Sequence, residues 1–242
     1  MMIDLKRQIK NNFQDVVSDY VKHAKIQKIA ANHLFNYLGN VKLPDGKIID
    51  LGCGDMMHSL ALADIFKRQV HAVDLIACNN EQENIIYHQH DFDNFKFDKQ
   101  SCALVFSNMS IQWSFCLEKL FLNIASGLKR DGLFIFSLPI SGTFDELHVS
   151  HRNQFYTIEN VSEYLFKAGF RKMQYHQKKY ILNFNNQLQA LHSIKKTGAH
   201  TILKRHDESK KGLSSIGNIF ITDKAQLSYV IATFCVAGIG WA

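Results

Sequence analysis

A glycine-rich turn that begins with an acid is the clearest candidate for chemistry in this chain of 242 residues. The turn covers residues 50–54 (Asp-Leu-Gly-Cys-Gly), between a short apolar run and a helical stretch. Glycines there let the backbone approach a ligand closely, and the following helix begins with unpaired N–H groups. Asp74 ends a second apolar run, where a carboxylate can accept both ribose hydroxyls of an adenosine. The pattern predicts a site for a nucleotide-type cofactor.

The spacing of the glycines distinguishes two kinds of cofactor site. A dinucleotide fingerprint, G-x-G-x-x-G, has glycine where this chain has Met57, and it requires no acid before the first glycine. The pattern Asp-x-Gly-x-Gly, headed by Asp50, resembles motif I of class I S-adenosylmethionine-dependent methyltransferases. Asp91-Phe92 resembles that family's adenine site, and residues 128–132 stand where the family has a turn before its fifth strand. The resemblance implies that S-adenosyl-L-methionine is the cofactor and that it is held by Asp50, Gly52, Cys53, Gly54, Asp74, Leu75, Asp91, Phe92 and Ser107.

The turn departs from motif I at two positions. The family has a glycine at the position of Met56 and a small residue at the position of Asp55. In the family's loop, a side chain at 56 would crowd the methionine end of the cofactor, and Asp55 adds negative charge beside a carboxylate. Two outcomes stay open. Either the loop has shifted to accept Met56, or cofactor binding is weakened and the protein keeps the methyltransferase fold without catalysing methyl transfer.

Alternating strand and helix patterns place these residues on a parallel sheet. Short apolar runs predict strands, and apolar residues at helical spacing predict helices between them. This alternation indicates an α/β fold of the class I methyltransferase (Rossmann-like) kind, a mainly parallel sheet with helices on both faces. The last two predicted strands are expected to form an antiparallel pair at the sheet edge. Predicted strands cover 47–51, 69–74, 84–87, 102–106, 133–138, 172–184 and 226–236, and predicted helices cover 59–66, 117–129, 159–168 and 188–196.

Two additions to the sheet are predicted at the ends of this pattern. Helical spacing runs through residues 1–40 and stops at Gly39, a residue typical of a helix C-cap. A polar, basic stretch with one helical pattern separates the last two predicted strands. We therefore expect a single methyltransferase domain over 1–242, made of an N-terminal helical lid (1–40), an α/β core (41–184 and 226–242) and a basic cap insertion (185–225).

Four further segments resemble one branch of these methyltransferases, the malonyl-ACP O-methyltransferases (BioC) of biotin synthesis. They are the helical segment 13–27, the strand-four motif 106–113, the stretch 142–147 and the cap motif 194–199. The resemblance extends from about residue 10 to the end of the chain. Its most specific parts are a Gln-Trp pair in 106–113 and a Lys-x-x-Gly-Ala pattern in 194–199, in the correct order.

This resemblance implies methyl transfer to the free carboxylate of malonyl-ACP, which gives the methyl ester that primes pimeloyl synthesis. A carboxylic acid has a pKa of about 4 and is already ionised at neutral pH, so the displacement needs no general base. Placing the oxygen near the methyl group in a dry site can supply most of the catalysis. The implied roles are Tyr20 in the lid, Asn108, Gln112 and Trp113 on the floor of the site, and Arg205 as the cation for the carboxylate, with Lys204 and Lys195 as alternatives.

Positive charge is concentrated in the last third of the chain. The sequence has 28 Lys and Arg against 22 Asp and Glu, a formal net charge of +6. Lys195–Lys211 holds six basic residues against Asp207 and Glu208. A solvated face explains this segment as well as a docking surface for an acidic partner does. Under the resemblance the partner is the acyl carrier protein, and the expected contacts are Lys195, Lys196, Lys204, Lys210 and Lys211.

Composition argues against several other classes of protein. Hydrophobic residues make up 46% of the chain, which excludes a disordered protein. The longest apolar run, Leu227–Ala242, is shorter than the roughly 20 residues a bilayer requires. Five cysteines without a CxxC pair indicate reduced thiols in a cytoplasmic protein. We expect a monomer with no metal, since His148 and His151 lack a third ligand, and no nucleic-acid or membrane partner.

Two alternatives to malonyl-ACP methylation stay open. One is an enzyme that keeps the cofactor and acts on another small acid or thioester. The other is a non-catalytic regulator that binds a carrier protein and keeps a degenerate cofactor site. Met56 favours the regulator, whereas the three acids Asp50, Asp74 and Asp91 favour catalysis.

Overall fold

The computed structural model describes residues 2–14, 23–39, 41–78, 82–198, 201, 203 and 219–239. Six α-helices lie in these residues: α1 (Met2–Gln14), α2 (Lys25–Leu38), α3 (Met57–Phe66), α4 (Leu117–Gly127), α5 (Ile158–Lys167) and α6 (Gln187–Lys196). The strands are β1 (Lys47–Leu51), β2 (Val70–Asp74), β3 (Ile85–Gln89), β4 (Cys102–Asn108), β5 (Leu128–Pro139), β6 (Phe170–Asn183) and β7 (Gln226–Ile239). Short 3-10 helices cover Ile111–Trp113 and Val149–His151.

The seven strands form one sheet in the order β3-β2-β1-β4-β5-β7-β6. Parallel pairs join β1 to β2, β1 to β4, β2 to β3 and β4 to β5, and an antiparallel strand pair completes the sheet. The predicted fold class is thereby confirmed. The order reverses between β1 and β4, and in open α/β sheets ligands bind beyond the carboxyl ends of the strands at such a point.

Burial on both faces explains why the central strands form. All seven residues of β4 are buried, as expected for a parallel strand covered by helices on each side. On one face, Ile48 and Phe106 pack in a cluster with Leu34 and Leu38 of α2 and with Leu62 of α3. This cluster ties α2 and α3 to the two strands whose carboxyl ends bound the predicted cofactor site.

Phenylalanines form the core on the opposite face of β5. The rings of Phe134 and Phe136 stack with centroids 4.4 Å apart, and Phe136 stacks on Phe234 of β7 at 4.8 Å. Phe121 of α4 meets Phe136 at 5.4 Å. Because side chains alternate along a strand, these rings lie opposite Ile135, which belongs to the first cluster.

The chain divides into two compact units. The sheet unit comprises Gln27–Leu138, Thr157–Gln177 and Ala232–Ala242, and the cap unit comprises Met1–Ile26, Pro139–Tyr156 and Lys178–Ile231. The predicted boundaries of a single domain with a lid and a cap stay a prediction.

Hydrogen bonds inside the cap unit connect the N-terminal helix to the region after α6. Asn12 of α1 donates to the Thr201 hydroxyl at 2.6 Å, and Asn153 donates to the Thr201 carbonyl at 2.9 Å. The buried Glu146 carboxylate accepts bonds from the Ser228 N–H and hydroxyl at 2.9 and 3.0 Å. The predicted lid helix and part of the predicted cap therefore share one unit.

Most elements begin and end within three residues of their predicted bounds, and the largest departure lies at the junction of α4 and β5. Helix α4 ends at Gly127 rather than at residue 129, and β5 begins at Leu128 rather than at residue 133. The segment 128–132, expected as a turn, is therefore the start of β5. The register passes from Cys102 opposite Leu128 to Leu104 opposite Leu133, so the extra β5 residues form an irregularity that periodicity does not reveal.

None of the described helices is both long and apolar enough to cross a membrane. The cysteines Cys53, Cys78, Cys102, Cys116 and Cys235 are free thiols.

Candidate cofactor and active site

The first glycine of the turn after β1 allows a close backbone approach. The Gly52 N–H donates to the Val73 carbonyl of β2 at 2.7 Å, and Gly52 has φ of +71°. A β-carbon there would overlap the side chain of Ser110, which follows β4. Glycine at this position therefore lets the turn pass between the ends of β2 and β4.

The second glycine of the turn borders open space. The Gly54 N–H donates to Asp74 Oδ2 at 2.9 Å, and φ is +54°. Apart from Gly54 and its two chain neighbours, no described residue has an atom within 4 Å of where a β-carbon on Gly54 would sit. The carboxyl edge of β1 and β2 thus has room for a ligand against bare backbone.

Asp74 is held in one orientation by backbone donors. Its Oδ2 accepts from Gly54, and its Oδ1 accepts from the Ile76 N–H at 3.0 Å. Burial raises the pKa of Asp74 above its usual value, whereas these backbone hydrogen bonds oppose that rise. Each carboxylate oxygen can accept a second bond, so Asp74 can still receive ribose hydroxyls. Leu75 follows it and is half-buried.

Asp50 is almost completely buried, with 1% of its surface exposed. The Ser59 hydroxyl of α3 donates to its Oδ2 at 2.6 Å. Burial raises the pKa of Asp50 to about 7, the Ser59 bond opposes the rise, and the negative charges of Asp74 and Asp55 add to it. A cationic group nearby would favour the ionised form of Asp50.

Met56, the departure from motif I, adopts the left-handed conformation that glycine adopts at no steric cost. Its φ is +63°, and its side chain is only 2% exposed in an apolar cluster with Cys53 and Ala72. Asp55 accepts a hydrogen bond from the Met57 N–H at 3.2 Å, at the start of α3. The loop accommodates both residues, which favours the interpretation that it has adapted to Met56.

Cys53 in the same turn is not a nucleophile. Its thiol is buried, and burial raises its pKa well above the usual range, with a further rise from the negative charge of Asp50. A thiol that stays protonated at neutral pH does not attack.

The loop after β3 brings the third predicted acid to the same edge. The Asp91 carboxylate accepts from the Asp93 N–H at 3.1 Å, and the neighbouring Phe92 is buried. The His90 N–H donates to the Asp74 carbonyl at 2.8 Å, which places this loop beside the end of β2. The predicted adenine-binding pair therefore follows directly on the strand next to Asp74.

Asp93 was missed by sequence reasoning. Its carboxylate accepts from the Ser114 hydroxyl at 2.5 Å and from the Phe115 N–H at 3.1 Å. It thus clamps the loop after β3 to the segment after the 3-10 helix. The signal available in the sequence was that Asp93 follows the predicted site residue Asp91 by two positions. Its partners Ser114 and Phe115 lie 21 and 22 residues away, so no local pattern reveals them.

The predicted residues on β4 have partners inside the protein. Ser107 is buried and donates to the Leu51 carbonyl at 2.8 Å. Asn108 donates to the Gln27 carbonyl at 3.1 Å and accepts from the Ser137 hydroxyl at 2.7 Å. These bonds connect β4 to β1, to β5 and to the first turn of α2. They position the end of the strand.

The predicted floor residues Gln112 and Trp113 lie on the 3-10 helix. Gln112 donates to the Met109 carbonyl at 2.6 Å, and both side chains are at least nine-tenths buried. Met109 itself has φ of +51°. The helix is therefore anchored to the end of β4, in the sheet unit that also contains the glycine turn.

Several substrate-side predictions lie outside the described residues: Tyr20, Lys204, Arg205, Lys210 and Lys211. Lys195 and Lys196 are described; both are exposed in the last turn of α6, in the cap unit. Their roles stay predictions.

The residues at the carboxyl edge fit S-adenosylmethionine. Three carboxylates, Asp50, Asp74 and Asp91, lie on or just after three adjacent strands. They suit a ligand with two positively charged groups and ribose hydroxyls, and the open face of Gly54 gives that ligand access to the backbone.

Comparison with known proteins identifies the family of this chain. A methyltransferase domain family matches residues 20–187. A malonyl-[acyl-carrier protein] O-methyltransferase 2 of Coxiella burnetii is 32% identical, covering 88% of this chain and 89% of that protein. The malonyl-[acyl-carrier protein] O-methyltransferase of Geobacter sulfurreducens is 27% identical over 82% of each.

Among solved structures, the fold resembles Haemonchus contortus phosphoethanolamine N-methyltransferase 2 in complex with S-adenosyl-L-methionine. The TM-score is 0.53 at 18% identity, covering 86% of this chain and 52% of that one. Fold, site and family together define a class I S-adenosylmethionine-dependent methyltransferase. Within that class, the chain belongs to the malonyl-[acyl-carrier protein] O-methyltransferase family. The resemblance stated from sequence motifs is confirmed.

Proposed function

We propose that this protein transfers the methyl group of S-adenosylmethionine to the free carboxylate of malonyl-acyl carrier protein. The observation that carries the proposal is the hydrogen bond from the Gly54 N–H to the Asp74 carboxylate, at a point where the backbone of Gly54 borders open space. That arrangement supports cofactor binding, and family membership supports the substrate. The reaction takes place in the cytoplasm and is carried out by a monomer.

The protein's own contribution is binding and orientation. The cofactor, when bound, would supply a methyl group on a positively charged sulfur. A carboxylate oxygen can attack that methyl carbon without a general base, and the sulfur is the leaving group. Asp74 would hold the ribose hydroxyls, Asp91 and Phe92 would hold the adenine, and the ionised Asp50 would hold the amino group. Catalysis then depends on holding the malonyl oxygen in line with the methyl group in a dry site.

On the substrate side, the proposal keeps the roles predicted from sequence. It assigns Tyr20 to the lid, Asn108, Gln112 and Trp113 to the floor of the site, and Arg205 to recognition of the malonyl carboxylate, since a guanidinium can bind a carboxylate bidentately. The exposed Lys195 and Lys196 on α6, with Lys204, Lys210 and Lys211, face the acidic carrier protein. Charges in that role raise the association rate more than the final affinity.

The test is a methylation assay with labelled cofactor and two carrier-protein substrates. We expect label in malonyl-acyl carrier protein as a base-labile ester, and none in acetyl-acyl carrier protein, which lacks the free carboxylate. Calorimetry of the cofactor alone is run in parallel. Cofactor binding without transfer to malonyl-acyl carrier protein would contradict the proposal and favour the carrier-binding regulator.

A second comparison separates docking from carboxylate capture. Replacing Lys195 and Lys196 by Gln should raise KM for malonyl-acyl carrier protein and flatten its salt dependence, while a small malonyl thioester is methylated as before. Arg205→Ala should reduce the methylation rate of malonyl-acyl carrier protein and of the small malonyl thioester equally. If Arg205→Ala impairs only the carrier-protein substrate, the carboxylate is held by another residue.

A further inference from the structure

A cavity that the proposed reaction does not use lies over the strands β1, β2 and β3. Its volume is about 360 Å³. Lys47, His71 and His88 line it from the three strands, and the segment 94–101 supplies most of the rest. All of these residues belong to the sheet unit.

Side chains that can carry positive charge make up five of the eleven residues that line this cavity. Lys47, His71, His88, His90 and Lys96 contribute to it, and Asp98 is the one acidic residue among those that line it. Phe95 packs edge-on against His88 and His90, with ring centroids 5.7 and 5.9 Å away. The basic groups therefore stand on a rigid aromatic and strand framework.

Two imidazoles form a hydrogen-bonded pair in the wall. His71 Nδ1 and His88 Nε2 are 3.0 Å apart, and the two ring planes differ by 12°. Burial lowers the pKa of each histidine, and the positive charge of Lys47 lowers both further. Both rings are therefore neutral at neutral pH. Their mutual bond uses one N–H, and a second N–H is left for another acceptor.

Lys47 already holds an anion in this cavity. Its Nζ lies 2.5 Å from Asp98 Oδ2, and the Asp98 side chain is 72% exposed. The Lys47 ammonium lowers the pKa of Asp98, so the carboxylate stays ionised. An exposed carboxylate on a loop can swing into solvent at little cost, since exposed ion pairs contribute little to stability.

We propose that this cavity is a binding site for a phosphate-class oxyanion, which replaces Asp98 beside Lys47 and accepts a bond from the remaining N–H of the His71–His88 pair. A doubly charged oxyanion offers more acceptors than one carboxylate and matches the several donors of the wall. Phe95 and Phe97 leave an apolar side on which the organic part of a phosphate monoester fits.

Binding at this site is coupled to proton uptake. Protonation of His71 or His88 adds positive charge beside Lys47, His90 and Lys96, with Asp98 as the opposing charge. A bound dianion offsets that repulsion and raises the histidine pKa values. Affinity for the oxyanion therefore rises as the pH falls through the range in which the histidines titrate.

The first experiment measures sulfate binding to the full-length chain by calorimetry, because sulfate stays doubly charged across the pH range. Ionic strength is held constant with chloride. We expect binding that tightens severalfold between about pH 8 and about pH 6. Lys47→Met should weaken it at least about tenfold, whereas Lys119→Met, an exposed lysine of α4, should leave it unchanged.

Asp98→Asn is the decisive variant because it should improve binding. Removing the competing carboxylate should tighten sulfate binding about threefold or more, a gain that misfolding cannot produce. Heteronuclear NMR should show the His71 and His88 ring signals shifting with sulfate. No binding at millimolar sulfate, equal losses in both lysine variants, or no gain in Asp98→Asn would overturn the proposal.

Two further ligands distinguish the source of the oxyanion. Inorganic phosphate and phenyl phosphate are compared at about pH 8, where both are dianions. Tighter binding of phenyl phosphate supports the site and assigns it to a phosphate monoester. Equal affinities support the site and assign it to the free ion.

Discussion

The carboxyl edge of β1–β3 is lined by acidic residues, whereas five of the eleven residues that line the cavity over the same strands can become positively charged. The base precedes the acid by three residues each time: Lys47 and Asp50, His71 and Asp74, His88 and Asp91. Because side chains alternate along a strand, an odd separation puts the base and the acid of β1, and those of β2, on opposite faces. Strand alternation thus lets one set of strands bear a region for a cation and a region for an anion.

Burial acts on the two regions with opposite results. It raises the pKa of Asp50 to about 7 and lowers the pKa of His71, because in both cases the charged form loses water. Each region is therefore less charged in the free protein than its residue types suggest. A ligand of opposite charge restores the ionised form in each region, so both sites couple binding to pH, with opposite signs.

The largest expected effect is the loss of cofactor affinity on removing an acid from the edge. Asp74→Ala removes the acceptor for the ribose hydroxyls and for the Gly54 and Ile76 N–H groups. We expect binding of S-adenosylmethionine to weaken by one to two orders of magnitude, roughly 1.5–3 kcal/mol. Asp64→Ala, an exposed acid on α3, is the matched control in calorimetry. Unchanged affinity in Asp74→Ala would remove Asp74 from the site.

Met56→Gly tests whether the turn has adapted to its large residue. Glycine removes the strain of the left-handed conformation, which is about 1–2 kcal/mol, but the loss of the buried methionine side chain costs about 2–5 kcal/mol. We expect a net destabilisation of about 2 kcal/mol in urea unfolding, and cofactor affinity that is unchanged or weaker.

Lys67→Gly provides the control for Met56→Gly at the other end of α3. Lys67 also has a positive φ, +51°, but its side chain is exposed, so glycine there should stabilise the protein. If Met56→Gly instead binds the cofactor more tightly, Met56 crowds the site and the loop has not adapted.

The smallest effect is the pH dependence of cofactor affinity. Below about 7 the carboxyl group of Asp50 is protonated in the free protein, and a cationic ligand must displace that proton. The dissociation constant should therefore rise by about tenfold in total as the pH falls from about 8 to about 6. Asp50→Asn should flatten the profile, and a profile unchanged by that substitution would exclude Asp50 as the titrating group.

Stability without cofactor should show the converse dependence. The folded-state pKa of Asp50 lies above its unfolded value, so its contribution is present at low pH and is lost as the pH rises through about 7. Above that pH, Asp50→Asn should unfold at a higher urea concentration than the original protein. The histidine cavity acts in the opposite direction, since the lowered pKa values of His71 and His88 favour the folded state at higher pH.

The sequence by itself determined the order of elements and the cofactor turn. Periodicity of apolar residues is a local property, so strands and helices were placed within a few residues of their ends in most cases. The acids at positions 50, 74 and 91 were found because each follows or ends an apolar run, and parallel strands bring such ends to one edge. Met56 was recognised as a departure from motif I for the same local reason.

Tertiary structure alone decided the contacts between distant segments. The Asp93 clamp, the bond from Asn108 to the Gln27 carbonyl and the His71–His88 pair join residues separated by 17 to 81 positions. The side chain of Met56 turned into the apolar cluster rather than toward the edge, because burial outweighs the strain of its backbone. These contacts and side-chain orientations depend on which surfaces meet in the folded chain, so the residue types alone do not predict them.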